Sequence, residues 1–225
     1  MALALVSEFD SAISLVHRVG ETLGVAAFAA SGALQAVRHN LDIVGILLLA
    51  GATALGGGII RDLIMGRTPP IAFTDLQYVG VALAVGLIVF VWSPPARLTS
   101  WPLHVSDAIG LGMFAVLGTV AAFDWGLAAP SAAMLGLTTA IGGGIIRDVL
   151  SGEIPAVLRP QQHLYAIPSA VGAGVTALLL DLGWYRPWAG LLCVVLVTAF
   201  RLASLRFEWH GPRPWYSKRQ GRSDD

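Results

Sequence analysis

Two short stretches of this chain concentrate the residues whose types and spacing could do chemistry. Ala52–Asp62 reads ATALGGGIIRD and Thr138–Asp148 reads TTAIGGGIIRD, so the heptapeptide GGGIIRD occurs twice. Residues four apart share a helix face. Thr53, Gly57 and Arg61 therefore form one stripe, and Thr139, Gly143 and Arg147 form the matching one. Each offers a hydroxyl, bare backbone and a cation in turn. The neighbouring stripe, Ala50, Ala54, Gly58 and Asp62, is repeated as Gly136, Ala140, Gly144 and Asp148. Small residues at this spacing let helices approach closely in lipid. This is the chemistry of a site that holds or passes a small polar solute.

The arrangement is costly in an apolar run. Glycine inside a helix costs about 1 kcal/mol relative to alanine, and an Arg or Asp near the bilayer centre about 2.5–3.5 kcal/mol on insertion scales. Irregular backbone within a membrane is tolerated where it lines a cavity or is buried in protein. The expectation is that the second and fifth spans kink or unwind at Gly56–Gly58 and Gly142–Gly144. Freed carbonyls and the hydroxyls of Thr53 and Thr139 would then line a polar path, with Arg61, Asp62, Arg147 and Asp148 beside it. The alternative is close packing alone, with the Arg-Asp pairs as interfacial anchors. Adjacent Arg61 and Asp62 leave a helix about 100° apart, which argues against their pairing with each other. Pairs across the two copies, Arg61 with Asp148 and Arg147 with Asp62, stay open.

Glu21 and Asp107 occupy equivalent places near the starts of the first and fourth spans. They are candidate partners of the arginines or attractors of cations, or simply acids well placed near a helix N-terminus. Ser31, Gln35 and Thr119 are polar within spans, and bonding to the local backbone is their expected role. Pro168 is expected to kink the sixth span. Enzyme signatures are missing: no Gly-Lys-Ser/Thr follows the glycines, as a P-loop needs, and neither HExxH nor GxSxG occurs. The five histidines, His17, His39, His104, His163 and His210, show no metal-ligand spacing. The single Cys193 excludes a disulfide or a Cys-based zinc site within one chain. No enzyme activity, resident metal or cofactor is expected.

The elements that must position these residues are membrane helices. The chain is 56% hydrophobic and 12% charged, with mean hydropathy +0.72; soluble domains carry about 25% charged residues. Formal net charge is zero, so there is no general basic field for nucleic acid. A spanning helix needs about 20 apolar residues. Seven runs qualify: Glu21–Val37, Leu41–Ile60, Leu76–Trp92, Val105–Phe123, Leu127–Ile146, Leu164–Leu182 and Trp188–Leu205. Trp92, Trp101, Trp125, Trp184 and Trp188 fall at run ends, where an aromatic belt would sit. The N-terminus lacks a positive stretch and is not read as a cleaved signal peptide. Arg206, Arg213, Lys218, Arg219 and Arg222 follow the last run, which places the C-terminus in the cytoplasm by the positive-inside rule and the N-terminus outside. The tail, residues 206–225, reads as a basic, polar topology anchor that can touch anionic lipid headgroups.

The glycine triplets lie 86 residues apart, and that offset aligns Val19–Gly86 with Val105–Gly172 without a gap. Gly24 meets Gly110, Phe28 meets Phe114, Gly32 meets Gly118 and Pro69 meets Pro155. Each copy holds three spans. An odd number makes the second copy enter from the opposite side, so the copies are expected to be inverted repeats, an architecture of transport proteins with the permeation site between them. The expected organisation is one all-α integral membrane domain over residues 1–225. It comprises repeat 1 (19–92), repeat 2 (105–183), a seventh span (188–205) and the tail.

The doubled GGGIIRD and the three-plus-three-plus-one spans resemble the trimeric intracellular cation channel (TRIC) family, bacterial branch, over about Val19 to Leu205. The resemblance implies a potassium-permeable homotrimer in the bacterial inner membrane. It further implies one pore per subunit between the repeats, with the glycines and Arg-Asp pairs at or beside it. Potassium would be the permeant ion and membrane lipids the other partners. The same bacterial sequence family is also described as glycine transporters, so a small amino-acid transporter, with Arg61 or Arg147 holding the substrate carboxylate, is the alternative. A non-transporting scaffold is the third reading. No TVGYG-type filter is present, so strong selectivity for potassium over sodium is not expected.

Overall fold

A computed structural model describes residues 2–159 and 164–209. All described secondary structure is helical. The helices are α1 (Ala2–Arg38), α2 (Ile43–Ile64), a single turn α3 (Ile71–Thr74), α4 (Leu76–Trp92), α5 (Ser100–Asp124), α6 (Ala129–Leu150), α7 (Ala166–Asp181) and α8 (Pro187–Arg206). Every one of the seven predicted runs is a helix. Four of them, α2, α5, α6 and α8, are long and apolar enough to cross a membrane, while α4 and α7 are apolar but shorter, at 17 and 16 residues. Helix α1 extends far N-terminal to the predicted Glu21 start. The basic residues predicted at 213–222 lie outside the described residues.

Local chemistry explains the boundaries. Asp42 caps α2 by accepting from the Gly45 N–H at 2.9 Å, and Asp75 caps α4 by accepting from Gln77 N–H at 3.1 Å, each satisfying a donor that the helix leaves orphaned. Both GGGIIRD helices stop in the same way. Gly66 and Gly152 each adopt φ +74°, and the next residue's N–H returns to a carbonyl five back, Arg67 to Asp62 and Glu153 to Asp148, both at 2.8 Å. Glycine enters this left-handed conformation at little cost and so closes the helix. Pro168 does not kink a span. It is the third residue of α7, whose preceding residue is the N-cap Tyr165, and there its missing N–H breaks no helical bond.

Helix α5 is the most enclosed element and packs against α1, α6, α7 and α8; α1 also packs on α2 and α4. At the centre Phe28 of α1 stacks on Phe114 of α5, with ring centroids 5.3 Å apart. Those two positions are the aligned pair of the internal repeat. The outer faces are apolar and exposed, and all five tryptophans predicted at run ends are more than half exposed, as lipid-facing surfaces and interfacial anchors require.

Candidate functional site

The glycine triplets lie where α2 meets α6. A Cβ added to Gly57 would sit 2.2 Å from the carbonyl oxygen of Thr139, and one added to Gly143 would sit 2.3 Å from that of Thr53. Residue 57 thus meets 139 while 53 meets 143, so the helices are antiparallel here and their GGGIIRD ends point in opposite directions. Neither helix unwinds: α-helix continues through both triplets. The glycines remove side chains so that two backbones touch. Thr53 and Thr139 are fully buried, and each hydroxyl donates to the carbonyl four residues back, Leu49 and Leu135, at 2.6 Å. These hydroxyls are committed to their own helices, a correction to the expectation that they and freed carbonyls line a wet path in this conformation. The triplet positions also differ from one another. Gly56 faces the Ile146 side chain, Gly142 faces Gly57, Gly58 faces open space, and Gly144 lies under the Tyr165 hydroxyl.

One turn beyond each crossing sits an Arg-Asp corner. Arg61 Nε donates to Asp62 Oδ1 at 2.9 Å and Nη2 approaches the same oxygen at 2.8 Å. Arg147 and Asp148 repeat this at 2.9 and 2.9 Å. The adjacent residues therefore do pair, against the expectation from their directions on the helix. The long guanidinium stem curls back along the helix to its neighbour. The second Asp oxygen accepts a backbone N–H from the loop beyond, Ile71 at 2.8 Å and Ala156 at 2.7 Å. Each Asp thus ties its helix end to the returning chain. The ion pairs found among the described residues link neither Arg61 to Asp148 nor Arg147 to Asp62.

The third member of each corner is the predicted acid. Arg61 Nη1 reaches Glu21 at 3.4 Å, and Arg147 Nη1 reaches Asp107 at 2.5 Å. A tyrosine completes each set: Tyr78 donates to Glu21 at 2.7 Å and Tyr165 to Asp107 at 3.2 Å. Sequence reasoning missed both tyrosines because they lie 87 residues apart, one off the repeat register. Their signal was a polar aromatic at the start of the third helix of each copy. Ser31 also departs from its expected role. Its oxygen accepts from Arg147 Nη1 at 2.5 Å, linking α1 to α6, and Gln35 donates to Ser151 across the same interface. Thr119 bonds its local backbone as expected, at 2.6 Å to the Ala115 carbonyl.

Each corner lines a small cavity. The first is bounded by Glu21, Gly58, Arg61, Asp62, Tyr78 and Phe114, the second by Asp107, Arg147, Asp148, Tyr165, Arg38 and Arg201, among others. Both measure about 30 Å³, room for one water molecule or a small ion. The second has a further ion-paired rim, where Glu153 pairs with His39 at 3.0 Å and with Arg159. Burial pushes the Glu153 carboxyl up, but the hydrogen bonds from Arg159 and His39 outweigh it and hold it at about 2. Arg201 was not singled out from the sequence. An arginine inside the last apolar run was the available signal, since such a charge is rare without a partner or a function. Among the described residues no group of His, Cys, Asp and Glu has metal-binding geometry.

The profile of a family described as glycine transporter matches twice, at residues 18–94 and 104–181. A UPF0126 membrane protein of Deinococcus radiodurans is 40% identical over 159 residues, covering 71% of this chain and 74% of that protein. The UPF0126 inner membrane protein YadS of Escherichia coli is 35% identical over 203 residues, covering 88% and 94%. Among solved structures, the TRIC trimeric intracellular cation channel orthologue from Rhodobacter sphaeroides is similar, with TM-score 0.80, 35% identity and coverage of 85% of this chain and 98% of that one. A second, from a study of conductance through TRIC cation channels, has TM-score 0.78 and 34% identity, covering 88% and 96%.

Proposed function

The chain belongs to the bacterial TRIC family, and from that premise we propose that it is a potassium-permeable monovalent cation channel of the bacterial inner membrane. The observation that carries this reading is the pair of corners: each buried arginine faces two carboxylates, Glu21 and Asp62 or Asp107 and Asp148. Each set is one charge negative and sits at a helix C-terminus, whose dipole favours cations. The pore runs between the two repeats, from one small cavity past the Gly57–Gly143 crossing to the other. Backbone contact there occludes the path in this conformation, so conduction requires α2 and α6 to bend or separate at the triplets.

In this reading the chain crosses the membrane seven times as two inverted three-helix repeats plus α8, with the N-terminus outside. The antiparallel α2–α6 crossing and the double profile match support the inverted pair. The subunits form a homotrimer, as the word trimeric in the name of one structural relative suggests, and each subunit carries its own pore. The glycine-transporter reading is weaker on chemistry. All three nitrogens of each guanidinium already bond protein oxygens, and at Arg61 the two acids it holds, Glu21 and Asp62, repel a substrate carboxylate.

The test is purified protein in liposomes, assayed for potassium flux and for labelled glycine uptake. Fast, unsaturated potassium flux without glycine uptake is expected. Saturable glycine uptake without potassium conductance overturns the reading, and flux of neither solute favours the scaffold.

A further inference from the structure

We propose that a groove between α1, α5 and α8 binds an aminophospholipid, with an acyl chain along the groove and the phosphoethanolamine headgroup at its mouth. The inference goes beyond the cation-channel reading and does not depend on which solute the pathway carries. The groove measures about 700 Å³, within the roughly 300–1,000 Å³ of small-ligand sites, whereas either corner cavity measures about 30 Å³. Its walls are apolar: Leu23 of α1, Met113, Leu117 and Val120 of α5, and Leu191 and Val194 of α8. Gly20 lies against the Leu117 side chain and Gly190 under the Tyr185 hydroxyl, so neither puts a side chain into the space. Val16, Leu23 and Leu191 are each more than half exposed, and the groove therefore opens sideways, toward lipid.

Its polar residues gather at one end. Gly24 lies against Met113 and Gly20 against Leu117, so α1 and α5 run antiparallel and His17 falls at the same end as Asp124. Tyr185 and Arg186 join them there. At the other end Met113 adjoins Phe114, which stacks on Phe28 at the centre of the molecule. From Met113 to Asp124 helix α5 rises about 16 Å at about 1.5 Å per residue, roughly one leaflet of a hydrocarbon core about 30 Å thick. Trp125, Trp184 and Trp188 flank the mouth and are each more than half exposed, which marks headgroup level. The mouth carries both signs of charge. Arg186, whose Nη1 donates to the Tyr185 carbonyl at 3.1 Å, suits a phosphate, and Asp124 suits an ammonium. Among the described residues neither is ion-paired. Phosphoethanolamine carries the complementary two charges. Lipid tails are as apolar as leucine, so the chain gains only packing contacts in the groove, and the headgroup decides which lipid stays. In the topology proposed above, the site faces the outer leaflet.

Native mass spectrometry of the purified, delipidated protein counts the lipid each subunit retains from dioleoyl phosphatidylethanolamine, phosphatidylglycerol or phosphatidylcholine added in detergent. Phosphatidylethanolamine is expected to be retained best. Asp124→Asn should remove its advantage over phosphatidylglycerol, which has no ammonium. Arg186→Gln should weaken retention of all three about threefold, the size of an exposed ion pair. Leu23→Trp fills the groove from a half-exposed position and should lower retention of all three; Leu191→Trp does the same from α8 should the first variant fail to assemble. The same spectra report whether each variant keeps the oligomeric mass of the unaltered protein. Equal retention of the three lipids by the unaltered protein overturns the proposal. So does an ethanolamine preference that survives Asp124→Asn, or retention unchanged when the groove is filled. A filled variant that changes oligomeric mass and retains lipid as before assigns the groove to a second copy of the chain, and overturns the proposal as well.

Discussion

Substituting alanine at adjacent positions of one glycine triplet should give opposite results. At Gly57 the new Cβ would lie 2.2 Å from the Thr139 carbonyl oxygen, and ordinary contact begins near 3.4 Å. Helices α2 and α6 must then separate by about 1.2 Å at their crossing. The obstacle is backbone, which no rotamer change relieves. Overpacking of this kind costs about 1–3 kcal/mol, and the helix propensity gained by replacing glycine returns about 1 kcal/mol of it. The net expectation for Gly57→Ala is a loss of up to about 2 kcal/mol. At Gly58 the Cβ meets nothing within 4 Å, so only the propensity gain remains and Gly58→Ala should be stabilised by up to about 1 kcal/mol. Gly143→Ala, which meets the Thr53 carbonyl oxygen, should behave like Gly57→Ala. The assay is thermal unfolding in detergent, followed by the amount of monodisperse protein that survives heating. Equal effects at 57 and 58 would refute the argument that backbone contact, and not glycine's flexibility, is what position 57 provides.

Removing Arg147 leaves Asp107 and Asp148 buried and unpaired, which costs about 3–5 kcal/mol. Arg61→Ala should cost clearly less, because the Glu21 side chain is 20% exposed and water can reach it; the same heating assay ranks the two, and equal losses would count against the burial argument. Arg147→Lys should restore little, since a lysine cannot make the forked contact to Asp148 while reaching Asp107. The Glu153 carboxyl is held at about 2 in the folded chain, against an ordinary 4.5. A depressed acid stabilises above its unfolded value, so this contribution should be present above pH 4.5 and drain away as pH falls toward 2; Glu153→Gln should flatten that part of the curve of unfolding temperature against pH. Tyr165→Phe removes the hydroxyl that covers Gly144 and bonds Asp107. It should loosen the second corner by about 1 kcal/mol, read by the same unfolding measurement, with no change in the amount of protein inserted.

The corners divide what was legible from what was not. Glu21 and Asp107 were recognisable as partners of the arginines because they hold equivalent places in the two copies. Pairing of Arg61 with Asp62 was not, because direction at Cβ does not say where a flexible five-bond stem ends. The outcome depends on the loop beyond the helix, whose N–H at Ile71 or Ala156 fixes the other carboxylate oxygen. Thr53 and Thr139 show the same limit. Their stripe was correct, but only the depth of the crossing decides whether a hydroxyl meets water or its own backbone.

The sequence by itself determined the membrane class, the positions of the long helices and the twofold repetition, since hydropathy over about 20 residues and a fixed offset are properties of the chain alone. Tertiary structure decided what the repetition does. Bringing Gly57 against Thr139 and Gly143 against Thr53 turns two copies of one heptapeptide into a single antiparallel contact with an acid-rich corner at either end. It also brings Arg201, far along the chain and outside both copies, into only one of those corners. Burial makes that placement matter, because a charge out of reach of water acts on its neighbours nearly unscreened.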